Sequence, residues 1–198
     1  MSRSRKVDHG TVIDAAQGVF WDHGYQGAST RQIEERTGLT RFTLQTTYGG
    51  KEAFFLETLD AYMDRVEAEH LPDPENTSLE DLAKWFENRA NPEVMPQIGA
   101  QGCLLLNAIT EFDRDGGEVD QRIGRYFDEL HKRFARILSR AVEEGDAVDG
   151  LNPEVNAHLL LNLLMGLSLT VKARPNDAFV QPFADAAGIQ IRQWRAGG

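Results

Sequence analysis

The segment that decides the fold is STRQIEERTGLTRFTLQTT, residues 29–47. Ser29 and Gln32 have the spacing of a capping box, which predicts that a helix begins just after Ser29. Gly38 predicts the end of that helix, and Thr40 has the side chain of an N-cap for the next one. The segment therefore predicts two short helices joined by a tight turn over residues 37–40.

The second of these helices is poor in apolar residues. Leu44 is the one side chain that clearly points inward, and the exposed ones are Arg41, Thr43, Gln45, Thr46 and Thr47. In a helix-turn-helix protein the second helix enters the major groove, where such donors and acceptors contact base edges. An ordinary helical hairpin has the same corner, so the polar face is what favours DNA binding.

The rest of the chain also has helical periodicity, and it contains no convincing strand pattern. A first helix is predicted from Asp8 to His23, with Gly24 as its stop. Further helices are predicted after Gly49-Gly50, after a Thr77/Glu80 capping box, over 101–112 and over 118–144. Another begins after an Asn152 cap, with Pro153 at its first position. The last is predicted over 176–194 and is expected to be kinked or to start late because it contains Pro182. The predicted fold class is all-α.

The charge is divided unevenly. The chain of 198 residues has a net charge of −10, yet residues 1–51 carry seven basic and five acidic side chains. An acidic body with a basic head is compatible with DNA contact through the head alone. A single cysteine excludes an intrachain disulfide and a cysteine zinc cage, and it favours a reducing compartment.

Beyond the two short helices, a series of motifs occurs in order: TVIDAA (11–16), VF (19–20), HGY (23–25), STRQI (29–33), TGLT (37–40), TL (43–44) and KEA (51–53). This series resembles the N-terminal domain of the TetR (tetracycline repressor) family of transcriptional regulators. The resemblance implies a homodimer that binds a palindromic DNA operator and leaves it when a small-molecule effector enters the C-terminal helices. It divides the chain into a DNA-binding domain, 1–50, and an effector-binding and dimerisation domain, 51–198.

The resemblance also assigns DNA-contacting residues. It implies backbone contacts at Thr30 and Arg31 and a phosphate contact at Lys51. On the recognition helix it places Arg41, Thr43, Gln45, Thr46, Thr47 and, at the end, Tyr48. Three positions depart from the family pattern: Phe42 replaces a small residue, Gln45 and Thr47 replace Tyr and often His, and Gly50 replaces a polar cap. We interpret these departures as a change in operator choice, since Gln pairs with adenine and Arg with guanine.

The helix over 154–172 is apolar on most of its circumference, which predicts burial on two sides. We expect a homodimer through about 154–194; the other interpretation is the central core helix of a monomer. Its longest apolar run, 159–169, is too short to span a bilayer, and no membrane contact is expected. A ligand pocket between the body helices is predicted to include Phe86, Cys103, Asn107, His131, Phe134 and Asn162.

Cys103 precedes an apolar helix and follows a glycine-containing stretch. Its thiol could be a redox or electrophile sensor, because a helix N-terminus favours the thiolate. The other interpretation is a small buried apolar residue, which is what a free cysteine usually is.

No enzyme signature is found: the nucleophile elbow and the zinc-binding histidine motif are both missing. We therefore expect no catalytic residue, metal or cofactor, and a cytoplasmic protein. The sequence thus predicts a ligand-responsive transcriptional regulator. The alternative is a helical ligand- or redox-sensing protein whose head no longer binds DNA, a hypothesis that Phe42 and Gln45 motivate.

Overall fold

The computed structural model describes residues 8–89, 91–96, 98–112, 116–173 and 178–197, and these ranges contain ten helices. Within them no strand is present beyond an isolated bridge between Ala147 and Arg195. The all-α class is confirmed. The helices are α1 His9–Gly27, α2 Thr30–Thr37, α3 Arg41–Tyr48, α4 Lys51–Glu69, α5 Leu79–Asn88, α6 Ile98–Gln101, α7 Leu104–Ile109, α8 Glu118–Glu143, α9 Pro153–Ala173 and α10 Val180–Arg192.

The chain forms two compact units. The head unit lies within Met1–Glu69 and Asn107–Arg122, and the body unit lies within His70–Leu106 and Ile123–Gly198. The head unit therefore includes α4, which the predicted boundary at residue 50 assigned to the second domain. As a division of function between DNA binding and effector binding, that boundary stays a prediction.

The caps of α2 and α3 form as the sequence predicts. The Ser29 hydroxyl accepts from the Gln32 amide at 3.2 Å, and the Gln32 side chain accepts from the Ser29 amide at 2.8 Å. Thr40 accepts from the Thr43 amide at 3.1 Å, and Gly38 ends α2 with φ 72°. Local side chains thus satisfy the free amides at the start of both helices, which makes this corner predictable from sequence.

The core of the head unit is built from aromatic and branched side chains of α1, α2 and α4. The Phe20 and Phe55 rings meet edge to face with centroids 4.9 Å apart. Ile33 from α2 and Leu44 from α3 are fully buried. Since aromatic pairs of this geometry stabilise beyond their buried area, the Phe20–Phe55 pair holds α1 against α4. The buried Ile33 and Leu44 anchor the two short helices in the same core.

The predicted capping box of α5 is wrong. Ser78, not Thr77, is the N-cap, and its hydroxyl accepts from the Asp81 amide at 3.1 Å. Glu80 is therefore not the capping acid. Its carboxylate instead accepts from Arg192 and from Arg195, each at 3.0 Å. These ion pairs join the start of α5 to the end of α10.

We expect Glu80→Gln to reduce the loss of stability on acidification. The hydrogen bond from Arg192 holds the pKa of Glu80 below its ordinary value. A carboxyl with a depressed pKa in the folded state stabilises above its unfolded pKa, and this contribution is lost as the pH falls through the folded value. The difference between wild type and Glu80→Gln in urea unfolding midpoint should therefore be larger at pH 7 than at pH 4.

Glu93→Gln is the matched control, because Glu93 is an exposed carboxylate without an ion pair in the described structure. It should shift the midpoint little at either pH. An equal effect of Glu80→Gln at both pH values would contradict the stabilising role of its ionised form.

The predicted helix over 101–112 is interrupted. Gly102 has φ 72° and separates α6 from α7, and α7 ends at Ile109. A Cβ on Gly102 would lie 2.4 Å from the carbonyl oxygen of Ser168. The close approach of α9 therefore requires a glycine at this break, and the local sequence does not reveal that approach.

The later helices agree better with prediction. α8 covers Glu118–Glu143, and the Asn152 side chain accepts from the Val155 amide at 3.1 Å above Pro153. Of the two outcomes expected for the last helix, the late start is the one found. It begins at Val180, so that Pro182 lies in its first turn, where a missing amide proton is harmless.

Burial of α9 on one side is found, and its burial on a second side stays a prediction. One face is buried in the body unit through residues that include Leu160, Leu164 and Val171, while Val155 and Leu169 are exposed. α9 has 21 residues and an 18-residue window with a mean hydropathy of 1.3, so it is long and apolar enough to cross a membrane by length and composition alone. The shortness of the apolar run 159–169 therefore does not exclude a membrane span.

Candidate nucleic-acid interface

The outer surface of α3 carries the side chains expected of a recognition helix. Arg41, Gln45, Thr46 and Thr47 are exposed, Thr43 is half-buried, and Leu44 is the buried residue of the helix. The carboxylate of Glu34 on α2 accepts from the Arg41 amide, so both short helices contribute to the cap of α3. The Arg41 guanidinium has no ion-pair partner within the described ranges, which leaves it available to a base or a phosphate.

Tyr48, at the end of α3, is half-buried and packs against other aromatic rings of the head unit. Its ring is stacked on His9 with centroids 5.8 Å apart and lies 4.5 Å from the Phe54 ring. Burial raises the pKa of the Tyr48 hydroxyl. These contacts hold the end of α3, so Tyr48 acts on the helix position whatever else it contacts.

Lys51 begins α4, where a helix N-terminus favours a phosphate. Its ammonium lies over the Tyr25 ring, 4.5 Å from the centroid, and burial lowers its pKa. The cation–π contact fixes the direction of the side chain. Lys51 is therefore both a packing residue and a candidate phosphate contact.

Thr30 and Arg31 open α2. Thr30 is half-buried at the first helical position, and Arg31 is exposed. The Arg31 guanidinium donates to Glu35 at 2.8 Å, which raises the arginine pKa. A pair this exposed is readily broken by a stronger anion such as a DNA phosphate.

The structure shows how the recognition helix accommodates Phe42, a bulky residue at a position where the family usually has a small one. The side chain is 75% exposed at the second position of α3 and takes no part in the core. The helix is uninterrupted around it, and the Thr46 hydroxyl donates to the Phe42 carbonyl at 2.9 Å. The bulky residue at a position that usually holds a small one therefore leaves the recognition helix intact.

The predicted ligand residues of the body separate into groups. Phe86 and Phe134 are fully buried with ring centroids 5.9 Å apart, and Cys103 is buried. His131 is half-buried, with its ring centroid 4.0 Å from that of His158. These positions are compatible with core packing as well as with a ligand.

The two asparagines lie elsewhere. Asn162 is exposed on α9, and its amide donates to the His158 carbonyl at 2.8 Å, so its part in a ligand pocket stays a prediction. Asn107 is half-buried and belongs to the head unit.

Sequence reasoning missed Arg89, the buried residue that directly follows α5. A signal for it existed. Leu79, Leu82 and Phe86 form the inner stripe of α5, and residue 89 continues that spacing. A charged residue in register with a buried stripe marks an unusual site.

Two capped short helices with a polar outer face on the second define a helix-turn-helix DNA-binding protein. Comparison with family models identifies which family of helix-turn-helix proteins this is. Residues 12–58 match the model of bacterial regulatory proteins of the tetR family, and residues 79–187 match the tetracyclin repressor-like C-terminal domain. The chain belongs to the TetR family of transcriptional regulators, as the resemblance implied.

Individual relatives agree with this membership. The transcriptional repressor ComR of Escherichia coli K12 is 26% identical over 195 residues, covering 97% of this chain and 91% of that protein. The repressor AcnR of Corynebacterium glutamicum is 40% identical over 45 residues, which cover 23% of this chain and 24% of AcnR.

Solved structures have the same fold. A TetR-family regulator from Cytophaga hutchinsonii superposes with a TM-score of 0.84 at 18% identity, with complete coverage of both chains. A cysteine mutant of the regulator CifR, solved with 26-base-pair double-strand operator DNA, gives a TM-score of 0.79 at 23% identity, covering 97% of this chain and all of the other.

Proposed function

We propose that this regulator binds a palindromic operator as a homodimer, represses transcription there, and is released by a small molecule bound in the body unit. The observation that carries the DNA-binding part is the exposed polar face of α3 on a doubly capped helix. Arg41 and Gln45 on that face have the donor and acceptor groups that pair with guanine and adenine. We propose a cytoplasmic location, where such a protein meets DNA.

The test is binding of the purified protein to DNA fragments from its own upstream region, measured by fluorescence anisotropy against random DNA of equal length. Specific binding should exceed random binding by about a thousandfold or more and weaken steeply with salt. Equal and weak binding to all fragments would favour the alternative, a sensor whose head no longer binds DNA. Genome-wide selection of bound fragments then identifies the operator.

The exposed apolar surface of α9 and α10 supports the homodimer. It includes Val155, Leu159, Leu169, Phe179 and Ile189. Beside it, Thr170, Ala173, Phe179, Pro182 and Phe183 line a groove of about 580 Å³. An apolar surface of this extent on a regulator needs cover, and a second copy of the chain provides it symmetrically.

Leu169→Arg is expected to weaken the dimer at least about tenfold, because a charge would lose its hydration at the interface without a partner. Leu169 is 64% exposed, so the isolated chain tolerates the change. Val142→Arg is the matched control, because Val142 is also exposed but lies on α8, outside this surface. Sedimentation velocity at micromolar concentration measures both.

A wild-type protein that sediments as a monomer would overturn the dimer proposal. Flotation with lipid vesicles adds a second readout, since α9 meets the length and hydropathy criteria for a span. Co-flotation of wild type that Leu169→Arg abolishes would assign the surface to a membrane instead.

Cys103 as the effector-sensing residue remains a second hypothesis. Its thiol is buried, and it lies beside the Tyr126 hydroxyl on α8. Burial favours slow reaction with iodoacetamide in the folded state. A Cys103→Ser protein that still leaves its operator on oxidant treatment would exclude Cys103 as the switch.

A further inference from the structure

Arg89 is the one charged side chain among the buried residues of the described structure, with 2% of its surface exposed. Its position at the C-terminal end of α5 is fixed by its backbone amide, which donates to the Phe86 carbonyl at 3.1 Å. Charged side chains are rarely buried unless they are paired, because removing an ion from water is unfavourable.

The contacts of the Arg89 guanidinium are weak ones. It lies over the Trp85 ring, 4.9 Å from the centroid, and one terminal nitrogen donates to the Met95 sulfur at 3.1 Å. The buried Nε has no hydrogen-bond partner. A thioether is a poor acceptor, so the hydrogen bonds that the described residues supply to this guanidinium are few and weak.

Other partly buried arginines of the body unit have carboxylate partners. Arg192 pairs with Glu80, Arg140 with Glu144, and Arg133 with Glu129. No carboxylate within the described ranges forms an ion pair with Arg89. The described body residues therefore supply carboxylates to these three arginines and none to Arg89.

An arginine cannot relieve the problem by losing its proton, since its intrinsic pKa is too high. The remaining compensation is an anion from outside the chain. A guanidinium presents its donors in a planar fork that matches the two oxygens of a carboxylate. The Met95 sulfur now accepts from one terminal nitrogen of Arg89. Methionine side chains rearrange readily, so a stronger ligand could displace it.

The surroundings restrict the rest of the ligand. The Trp85 ring lies 6.0 Å from the Phe134 ring and 5.1 Å from the Phe86 ring, which gives an aromatic wall. Tyr126 is buried beside Cys103, this burial raises its pKa, and it lies near enough to Arg89 for the two groups to interact electrostatically. A flat apolar skeleton complements this wall.

We propose that Arg89 is the anion-binding residue of the effector site, and that the effector is a small organic acid whose carboxylate is attached to an aromatic or similarly flat apolar skeleton. This inference rests on the proposed function for its regulatory meaning, but not for binding itself. Phe86, Phe134 and Cys103, predicted as ligand residues, would then belong to the apolar wall around Arg89.

The test uses 1-naphthoate and its neutral analogue 1-naphthamide as probes, with binding measured by calorimetry on the full chain. Wild type should bind the acid at least about tenfold more tightly than the amide, because hydrogen bonds to a charged group are the stronger ones. Arg89→Met should abolish this preference, and Arg89→Lys should reduce it. Arg125→Met, which removes an exposed arginine of α8, should leave it unchanged.

The melting temperature without ligand provides an independent readout. Arg89→Met should raise it, since the variant replaces an unpaired buried charge by an apolar side chain of similar length. A structural role for the arginine predicts the opposite sign. Circular dichroism confirms that each variant remains helical.

Two results would overturn the inference: no preference for the acid in wild type, or a preference that survives Arg89→Met. Operator binding is measured in parallel to separate the claims. If the protein binds its operator but shows no Arg89-dependent acid binding, the site assignment alone fails. If naphthoate binds through Arg89 and operator affinity does not change, the effector role fails while the anion site stands.

Discussion

Arg41→Ala is expected to weaken binding to the specific operator by roughly 5- to 150-fold, which corresponds to about 1–3 kcal/mol for one bidentate contact to guanine. Arg41 is exposed at the first position of α3, and its backbone amide is already held by Glu34. Truncation of the side chain should therefore remove a base contact without disturbing the helix. Anisotropy titrations on operator and random DNA measure the effect.

The diagnostic quantity is the ratio of the affinity for the operator to the affinity for random DNA. Most of the affinity lost by Arg41→Ala should appear as a fall in this ratio. Lys51→Met is the matched comparison, because it keeps the apolar stem that packs near Tyr25 and removes the ammonium. It should weaken binding to both DNAs alike and reduce the salt slope by about one. If Arg41→Ala lowers both affinities equally, Arg41 contacts phosphate and not a base.

The corner between α2 and α3 could be predicted because its determinants are local. Ser29, Gln32 and Thr40 satisfy amides within three residues of themselves, and Gly38 supplies the left-handed turn. The exposed face of α3 follows from the same register. Sequence therefore suffices where neighbours in the chain are also neighbours in space.

Prediction from sequence fails where contacts with residues distant in the chain determine the local structure. Thr77 and Ser78 are both good caps, and the ion pairs of Glu80 with Arg192 and Arg195 accompany the choice of Ser78. The interruption at Gly102 depends on the carbonyl of Ser168, which the local pattern does not contain. Burial of Arg89 is of the same kind, because a charged residue at a helix end is solvated in most proteins.

The packing of Tyr48 and Lys51 links the predicted interface to the core of the head unit. The Tyr48 ring contacts both His9 and Phe54, and the Lys51 ammonium lies on Tyr25. Both residues lie at the boundary between α3 and α4. The orientation of the recognition helix is thus set by the same side chains that close the aromatic core, and core variants should change operator affinity through this boundary.

Gly24→Ala tests how much of that architecture depends on one backbone turn. Gly24 interrupts α1 with φ 72° and ψ 173°, a conformation that is essentially restricted to glycine. A Cβ there would lie 2.5 Å from a carboxylate oxygen of Glu111. The same carboxylate accepts from the Tyr25 amide at 3.0 Å and from the Gln26 amide at 2.7 Å.

The substitution therefore adds strain of about 1–3 kcal/mol and also displaces a charged acceptor of two amides, so we expect a loss of roughly 3 kcal/mol or more in the free energy of unfolding. Gly18→Ala is the control in the same helix, because a Cβ at Gly18 has no heavy atom within 4 Å. It should raise stability by about 0.5–1 kcal/mol, since alanine favours a helix interior. Urea unfolding followed by circular dichroism measures both. In a Glu111→Gln background the loss from Gly24→Ala should shrink, because the weakened acceptor has less to lose; an undiminished loss would place the whole effect in the backbone and none in Glu111.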